Sequence, residues 1–168
     1  MKNIVLIGMP GAGKSTIGVL LAKTLLFDFV DTDIVIQNEY GKSLCDIISQ
    51  KGTDAFLQIE CNSICSLECK KCVIATGGSA VYGEKAMNKL KENSIIVYLK
   101  LPECEIERRL SDIKARGVVF RQGETIKDIF TQRRALYEKY ADVTVDCSNL
   151  TPERCVEKII ELCVENIG

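Results

Sequence analysis

The segment that most constrains this chain is a glycine-rich turn near its amino terminus. Residues 8–15 read GMPGAGKS and fit G-x-x-x-x-G-K-[ST], between the apolar run Asn3–Ile7 and an amphipathic stretch at 14–26. In that context the turn is typical of a loop whose backbone N–H groups, with the dipole of the following helix, cradle phosphate oxygens. The alternative is a strand-to-helix turn that binds nothing. The residues predicted to bind nucleotide phosphates are Gly11, Ala12, Gly13, Lys14, Ser15 and Thr16.

The end of this loop supplies two functional side chains. We expect the Lys14 ammonium to reach the β and γ phosphates and the Ser15 hydroxyl to bind Mg²⁺. The loop indicates a nucleotide but not a reaction. A GTPase switch is excluded, because the N-K pair at 88–89 continues with Leu-Lys and no Asp has Gly three residues later.

The rest of the chain alternates short β-branched runs with longer amphipathic stretches. The runs lack polar alternation, which predicts burial on both faces, as in a parallel sheet. We therefore predict a three-layer α/β sandwich and, with 168 residues and no linker or repeat, one domain over 1–168. The predicted strands are Asn3–Ile7, Asp28–Asp31, Cys72–Thr76, Ser94–Lys100 and Val143–Asp146, and the predicted helices lie near 14–26, 33–50, 53–70, 83–92, 102–114, 125–141 and 152–166.

Composition excludes several classes of function. The chain has no His, which rules out Ser-His-Asp and Cys-His nucleophiles and His-ligated zinc. Its net charge of -1 predicts no nucleic-acid partner and no anionic membrane surface. No apolar run approaches the roughly 18 residues of a membrane span, and no signal peptide opens the chain, so we expect a cytoplasmic protein.

Four of the nine cysteines are clustered as C-x3-C-x3-C-x2-C, at Cys61, Cys65, Cys69 and Cys72. The last three match a spacing that holds iron-sulfur clusters in radical enzymes. However, the chain is too short for the barrel of such enzymes, and the first three cysteines fall on one stripe of the predicted helix 53–70. We predict buried or bystander thiols, with a metal or redox role as the alternative.

Two carboxylates follow the second predicted strand, in Asp31-Thr32-Asp33. The carboxyl ends of parallel strands share one edge of a sheet, so these residues are expected beside the phosphate loop, where ligands bind in open α/β sheets. A carboxylate here can orient an acceptor hydroxyl for phosphoryl transfer, or it can cap the next helix. We expect one of the two carboxylates to cap the helix and the other to take part in the chemistry.

Taken in order, the motifs resemble those of the shikimate kinase family, within the wider group that includes adenylate kinases. The resemblance runs from Ile4 to the last helix and includes Arg116, Arg133 and Tyr137. It implies a P-loop nucleoside-triphosphate-hydrolase-like kinase fold with a five-stranded parallel sheet and a mobile lid at about 114–124. The matching segments are GMPGAGKSTIG at 8–18, FVDTD at 29–33, ATGG at 75–78, VYL at 97–99, ALY at 135–137 and AD at 141–142.

The resemblance also implies roles at the nucleotide. Arg109 would stack near adenine, and Arg116 in the lid would swing onto the phosphates and act catalytically with Lys14. Asp31 would contact Mg²⁺ through water. ATP is thus the implied co-substrate and Mg²⁺ the implied cofactor.

The acceptor site is implied in the same way. Asp33 would bind the acceptor hydroxyl and take part in catalysis, and Arg133 would hold the substrate carboxylate. Gly77 and Gly78 would approach the substrate closely. Glu60 belongs to the family motif F-R-x-x-E and is a further substrate-binding candidate.

Three positions depart from the family pattern. Leu57 replaces the Arg of F-R-x-x-E, Ser79 replaces the third Gly of a G-G-G turn, and Gly117 replaces the Pro after the lid Arg. Loss of a charge-assisted hydrogen bond would weaken substrate binding by roughly 10- to 150-fold. Glu60 loses its expected cation, so solvent reaches it on an exposed helix face, a Lys replaces the Arg, or the substrate brings a positive charge such as an ammonium group.

Together these features predict a monomeric, Mg²⁺-dependent ATP phosphotransferase that acts on a hydroxyl of a small metabolite. Shikimate, converted to shikimate 3-phosphate in aromatic amino-acid biosynthesis, is the first candidate. A related kinase with another acceptor is the alternative, its substrate a hydroxylated amino acid, a polyol or a nucleoside monophosphate. A non-catalytic nucleotide-binding sensor, with the cysteine cluster as its input, is a further one.

Overall fold

The predicted strands form a single parallel sheet. The computed structural model describes residues 2–110 and 118–167, with side chains described as far as residue 163. The spatial order of the strands is β2-β3-β1-β4-β5, so β1 is central. Val5 of β1 pairs with Ile74 of β3 and with Ile96 of β4. The strands are β1 (Asn3–Ile7), β2 (Asp28–Asp31), β3 (Cys72–Ala75), β4 (Ser94–Lys100) and β5 (Val143–Asp146).

Helices cover both faces of this sheet, which makes the predicted three-layer sandwich. α1 and α8 contact each other, as do α4 and α5, and α7 packs on β4. Every residue of β1 is buried, as continuous apolar runs in a parallel sheet require. The helices are α1 (Lys14–Leu25), α2 (Thr32–Tyr40), α3 (Leu44–Lys51), α4 (Thr53–Cys65), α5 (Glu84–Glu92), α6 (Glu103–Leu110), α7 (Ile126–Tyr140) and α8 (Pro152–Ile167), with a 3-10 turn at Ala80–Tyr82.

Two predicted helices are wrong in their extent. The segment predicted as one helix over 33–50 is two, because Gly41 takes the left-handed conformation (φ 62°) that ends α2, and Ser43 then caps α3 by accepting a hydrogen bond from the Asp46 N–H. The helix predicted over 53–70 ends at Cys65, and the chain turns back so that β3 can begin at Cys72.

The cysteine cluster is divided by this turn. Cys69 lies beyond the end of α4, so the predicted stripe of three cysteines on one helix is wrong. All nine cysteines are free thiols, and burial raises the pKa of Cys65, and that of Cys72 to about 12. Within residues 2–110 and 118–167, no group of three or more His, Cys, Asp or Glu side chains is placed to hold a metal ion. Protonated thiols favour the interpretation as bystanders.

No helix in the described part of the chain combines the length and apolar character needed to cross a membrane.

Candidate active site

A cleft of about 550 Å³ opens where β1, β2 and β3 end. The three strands are neighbours in the sheet, so the segments that follow them meet at one edge. Among the predicted site residues, Ala12 and Asp31 are not part of the lining, and Arg116 lies outside the described residues. The predicted residues that line the cleft are Gly11, Gly13, Lys14, Ser15, Thr16, Asp33, Glu60, Gly77, Gly78, Arg109 and Arg133.

Lys14 begins α1 and folds back over the glycine-rich loop. Its Nζ donates to the carbonyl oxygens of Gly8 (2.8 Å) and Met9 (2.9 Å), and the side chain is buried. Burial lowers the pKa of Lys14 to about 8, while the Asp33 charge opposes this shift and the Arg133 charge adds to it. A cation held at the mouth of a loop and helix N-terminus is what phosphate oxygens require.

Ser15 and Asp31 lie side by side at the ends of α1 and β2. The Ser15 hydroxyl donates to Asp31 Oδ2 at 2.6 Å, and Asp31 Oδ1 accepts a hydrogen bond from the Asp33 N–H at 3.0 Å. Asp31 therefore caps α2 and also presents an oxygen beside Ser15. A hydroxyl next to a carboxylate is the kind of donor set that Mg²⁺ prefers, so the residues present fit the ion.

Asp33 is the second carboxylate of this pair and faces the cleft from the first turn of α2. Burial raises the pKa of Asp33 to about 6, and the Asp31 charge acts in the same direction while Lys14 opposes it. This division between Asp31 and Asp33 agrees with the expectation that one Asp caps and the other is available for chemistry.

Gly77 follows β3 and allows two carboxylates to approach its backbone. A Cβ at this position would overlap Glu60 Oε1 and would lie 2.9 Å from Asp33 Oδ1. The Gly77 N–H donates to Thr32 Oγ1 at 3.2 Å, which ties the turn after β3 to α2. Any side chain at residue 77 would push Asp33 or Glu60 from its position.

Arg133 projects from α7 into the same cleft although it is only 1% exposed. Its Nη2 donates to the Val119 carbonyl oxygen at 2.8 Å, and its guanidinium lies 5.4 Å from the centre of the Tyr82 ring. One turn later on α7, the Tyr137 hydroxyl donates to the Gly78 carbonyl oxygen at 2.6 Å. These contacts fix a buried positive charge, suited to an anionic group on a ligand, beside Gly78.

Glu60 is not a surface residue, so the alternative that solvent reaches it is wrong. The side chain is 1% exposed, its Oε2 accepts from the Ser79 hydroxyl at 2.6 Å, and its Oε1 has no hydrogen-bond partner among residues 2–110 and 118–167. No Lys or Arg of the described ranges forms an ion pair with it, so the alternative that a Lys replaces the Arg finds no support there. Burial raises the pKa of Glu60 to about 7, although the Ser79 hydrogen bond opposes the shift.

Arg109 contacts the phosphate loop from α6. Arg109 Nη1 donates to the Gly11 carbonyl oxygen at 2.8 Å, and its other nitrogen pairs with Glu105 at 2.5 Å, so this side chain braces the phosphate loop. Of the predicted lid at 114–124, residues 114–117 lie outside the described part, and these include Arg116 and Gly117.

The apolar wall of the cleft is the part that the sequence motifs did not reveal. Leu44, Phe56 and Val119 are buried in a small cluster of their own, apart from the main core, and Val119 lies in the lid segment. The family pattern shows Ser79 only as the loss of a glycine and does not indicate that its hydroxyl bonds to Glu60. Tyr137 is named by the sequence motifs without a role, and its spacing of four residues from Arg133, which places both on one helix face, is the signal for one.

Comparison with known proteins points to one family. The profile of the shikimate kinase family matches residues 10–164. A shikimate kinase from Thermodesulfovibrio yellowstonii is 43% identical over 164 residues, covering 96% of this chain and 94% of that protein. Shikimate kinase from Acinetobacter baumannii, solved in complex with shikimate, superposes with a TM-score of 0.89 at 29% identity, over 99% of this chain and 94% of that one. The enzyme from Aquifex aeolicus gives a TM-score of 0.81 at 34% identity, over 97% and 96% of the two chains.

Proposed function

This chain belongs to the shikimate kinase family, and we infer that it transfers the γ-phosphoryl group of ATP to a hydroxyl of shikimate in the cleft at the ends of β1, β2 and β3. The observation that carries the inference is the meeting of three side chains in one cavity: Lys14 on the phosphate loop, Asp33 after β2, and Arg133 on α7. Lys14 would contact the phosphates of ATP, Asp33 would contact the hydroxyl of the acceptor, and Arg133 would contact the carboxylate of the acceptor.

The step we propose is a direct displacement at phosphorus. The acceptor oxygen forms a bond to the γ phosphorus while the bond from that phosphorus to the β–γ bridging oxygen breaks, and ADP leaves. Asp33 orients the hydroxyl and receives its proton, which requires the ionised form of the carboxyl. Lys14 leaves its carbonyl partners Gly8 and Met9 to contact the phosphates. Catalysis is then positioning and charge neutralisation.

Mg²⁺ is part of this proposal, and Ser15 and Asp31 are the residues that would hold it. When bound, the ion would neutralise charge on the β and γ phosphates. The Ser15 hydroxyl would be a direct ligand, and the Asp31 carboxylate, which also caps α2, would act through water. Because Asp31 orients the first turn of α2, the same carboxylate also sets the position of Asp33.

Leu57 leaves Arg133 as the cation we assign to the acceptor carboxylate. Residue 57 packs beside the apolar cluster that includes Phe56 rather than supplying a charge. The proposal therefore predicts that shikimate binding depends strongly on Arg133, since a charge-assisted hydrogen bond is worth roughly 10- to 150-fold in affinity.

The test is acceptor-dependent release of ADP by the purified protein, with ³¹P NMR to identify the product. We expect shikimate to stimulate ADP release, whereas homoserine, a polyol and a nucleoside monophosphate do not. Lys14→Ala should abolish the stimulation, and Lys89→Ala, a change of an exposed lysine on α5, should not. ADP release that ignores shikimate but responds to another acceptor would overturn the assignment of the substrate, and release that responds to none would favour the sensor.

A further inference from the structure

Ser79 and Glu60 form a buried link between two elements that border the acceptor side of the cleft. Ser79 stands in the turn after β3 and is 5% exposed, and Glu60 lies on α4 and is 1% exposed. The Ser79 hydroxyl donates to Glu60 Oε2 at 2.6 Å, the short distance typical of a hydroxyl bonded to a carboxylate. The two residues are 19 positions apart in the sequence, so this bond is a tertiary contact between α4 and the turn after β3.

Within the part of the chain that the structure describes, this link is the one hydrogen bond to the Glu60 carboxyl group. Its other oxygen, Oε1, is buried without a partner, and no ion pair reaches it from the described ranges. A cation could have come from residue 57, which is one helical turn away on α4, but that residue is Leu57 and packs in the neighbouring apolar cluster. A buried carboxylate is costly unless it is hydrogen-bonded, so the hydroxyl is energetically important.

We propose that Ser79 is a positioning residue for the acceptor site: by holding Glu60, its hydroxyl fixes the turn at Gly77 and Gly78 against the cleft. Glu60 Oε1 lies directly behind the Gly77 backbone, and Tyr137 holds the Gly78 carbonyl oxygen from the other side. The turn is thus held from α4 and from α7. The backbone of Ser79 (φ -90°, ψ -5°) is ordinary for any residue, so its side chain rather than its conformation is what the turn needs.

The experiment compares Ser79→Ala with Ser63→Ala. Ser63 is a matched control because it is a buried serine on α4 whose hydroxyl has no hydrogen-bond partner among the described residues. Ser79→Ala should raise the KM for the acceptor about tenfold or more while the KM for ATP changes less than twofold. Ser79→Thr, which keeps a hydroxyl, should restore the acceptor KM, and Ser63→Ala should change neither constant.

A second measurement does not depend on turnover. Amide hydrogen exchange at Gly77 and Gly78 should be several-fold faster in Ser79→Ala than in the wild-type protein and unchanged in Ser63→Ala. Unchanged exchange in Ser79→Ala, an unchanged acceptor KM, or an equal rise in both KM values would overturn the inference. The KM measurements rest on the proposed function. The amide exchange rates at Gly77 and Gly78 test the role of Ser79 even if shikimate is not the acceptor.

Discussion

Asp33 and Glu60 bring two carboxylates to one corner of the cleft, behind and beside Gly77. Burial raises the pKa of Asp33 to about 6 and that of Glu60 to about 7. The Asp33 charge adds to the raised pKa of Glu60, the Asp31 charge adds to that of Asp33, and the buried cations Arg133 and Lys14 lower the pKa of Glu60 in turn. The corner is therefore sensitive to pH near neutrality, and its two carboxylates can be separated by mutation.

Asp33→Asn removes the charge that receives the hydroxyl proton but keeps size and hydrogen bonding. We expect kcat to fall by roughly 10²–10⁴-fold, the usual loss for a general base, with ATP affinity changed only a few-fold. In the wild-type protein kcat/KM for the acceptor should rise between about pH 5 and pH 7, because a pKa raised to about 6 leaves Asp33 protonated and inactive at lower pH. Steady-state kinetics across this range check both points. A variant with near-normal turnover would reduce Asp33 to a structural residue.

Glu60→Gln should remove a destabilisation that grows with pH. The pKa of Glu60 is about 7 in the folded protein and near the ordinary 4.5 in the unfolded chain, so the unfolded chain loses its proton first as pH rises. Stability therefore falls between about pH 4.5 and pH 7, by up to about 3 kcal/mol for this group. Urea unfolding should give similar free energies for variant and wild type at pH 4.5 and a more stable variant at pH 8.

The matched control for this change is Glu39→Gln on the exposed side of α2. It should leave the pH dependence of the unfolding free energy as in the wild-type protein. If Glu60→Gln and wild type lose stability in parallel between pH 4.5 and pH 8, the buried carboxyl is not what titrates.

Sequence reasoning reached some of these residues and missed the relation between others. Two local motifs, the loop that contains Lys14 and the segment that contains Asp31 and Asp33, are enough to predict a phosphate loop and a nearby carboxylate. The pairing of Ser79 with Glu60 could not be predicted, because it depends on how α4 packs against the turn after β3. The two departures from the family pattern at residues 57 and 79 look independent in the sequence, although both affect the surroundings of Glu60.

At the level of helices and strands, apolar runs predicted the strands closely and the helix ends less well. The predicted helix 33–50 is apolar enough to look continuous, but Gly41 and Ser43 give the stop and start signals that divide it. The predicted end of α4 is wrong by five residues, because the return to β3 is set by the sheet rather than by any strong breaker. Burial patterns predict which residues are inside, and tertiary contacts decide where a helix stops.

The start of α7 offers a test of local stability apart from chemistry. Thr125 and Asp128 form a capping box, in which Thr125 Oγ1 accepts from the Asp128 N–H and Asp128 accepts from the Thr125 N–H. Thr125→Ala should lower the unfolding free energy by about 1 kcal/mol. The kcat should stay within about twofold, since Arg133 lies two turns further along α7. Urea unfolding and steady-state kinetics check the two expectations.

Thr131→Ala is the matched control on the same helix. Its hydroxyl donates to the Lys127 carbonyl oxygen inside the helix, and Ala has the higher helix propensity there, so we expect no loss of stability. An equal loss in the two variants would show that the cap has no special part in starting α7.

On the scale of the whole molecule, the site is a product of strand order. β1 lies between β3 and β4, and β3 between β1 and β2, so the segments that follow β1, β2 and β3 converge. Periodicity predicts a parallel sheet, and the resemblance to a family implies its five strands, but neither predicts this order, because strand order depends on how the crossovers pack. The convergence brings Lys14, Asp33 and Gly77 together from distant parts of the chain.

A ligand that draws on all of these segments should stabilise the whole fold. At 100 times its Kd, ATP with Mg²⁺ would add about 2.7 kcal/mol to the unfolding free energy, which raises the Tm of a chain of this size by several degrees. Chelation of the metal should remove much of this gain, and Lys14→Ala should remove most of it, as measured by thermal unfolding. If ATP with Mg²⁺ raised the Tm of Lys14→Ala as much as that of the wild-type protein, the assignment of the phosphate site would be contradicted.

Because this chain has no His, proton uptake and release by the two buried carboxylates of the cleft can be measured without an imidazole background. Between about pH 5 and pH 7.5, proteins exchange protons mainly through imidazoles, and their background usually hides the titration of an active site. In the described part of the chain, burial raises the pKa of Asp33 to about 6 and that of Glu60 to about 7, and it holds the pKa of Cys65 and Cys72 above this range. Calorimetry of acceptor binding in buffers of different ionisation heat would therefore count protons that belong to the cleft itself.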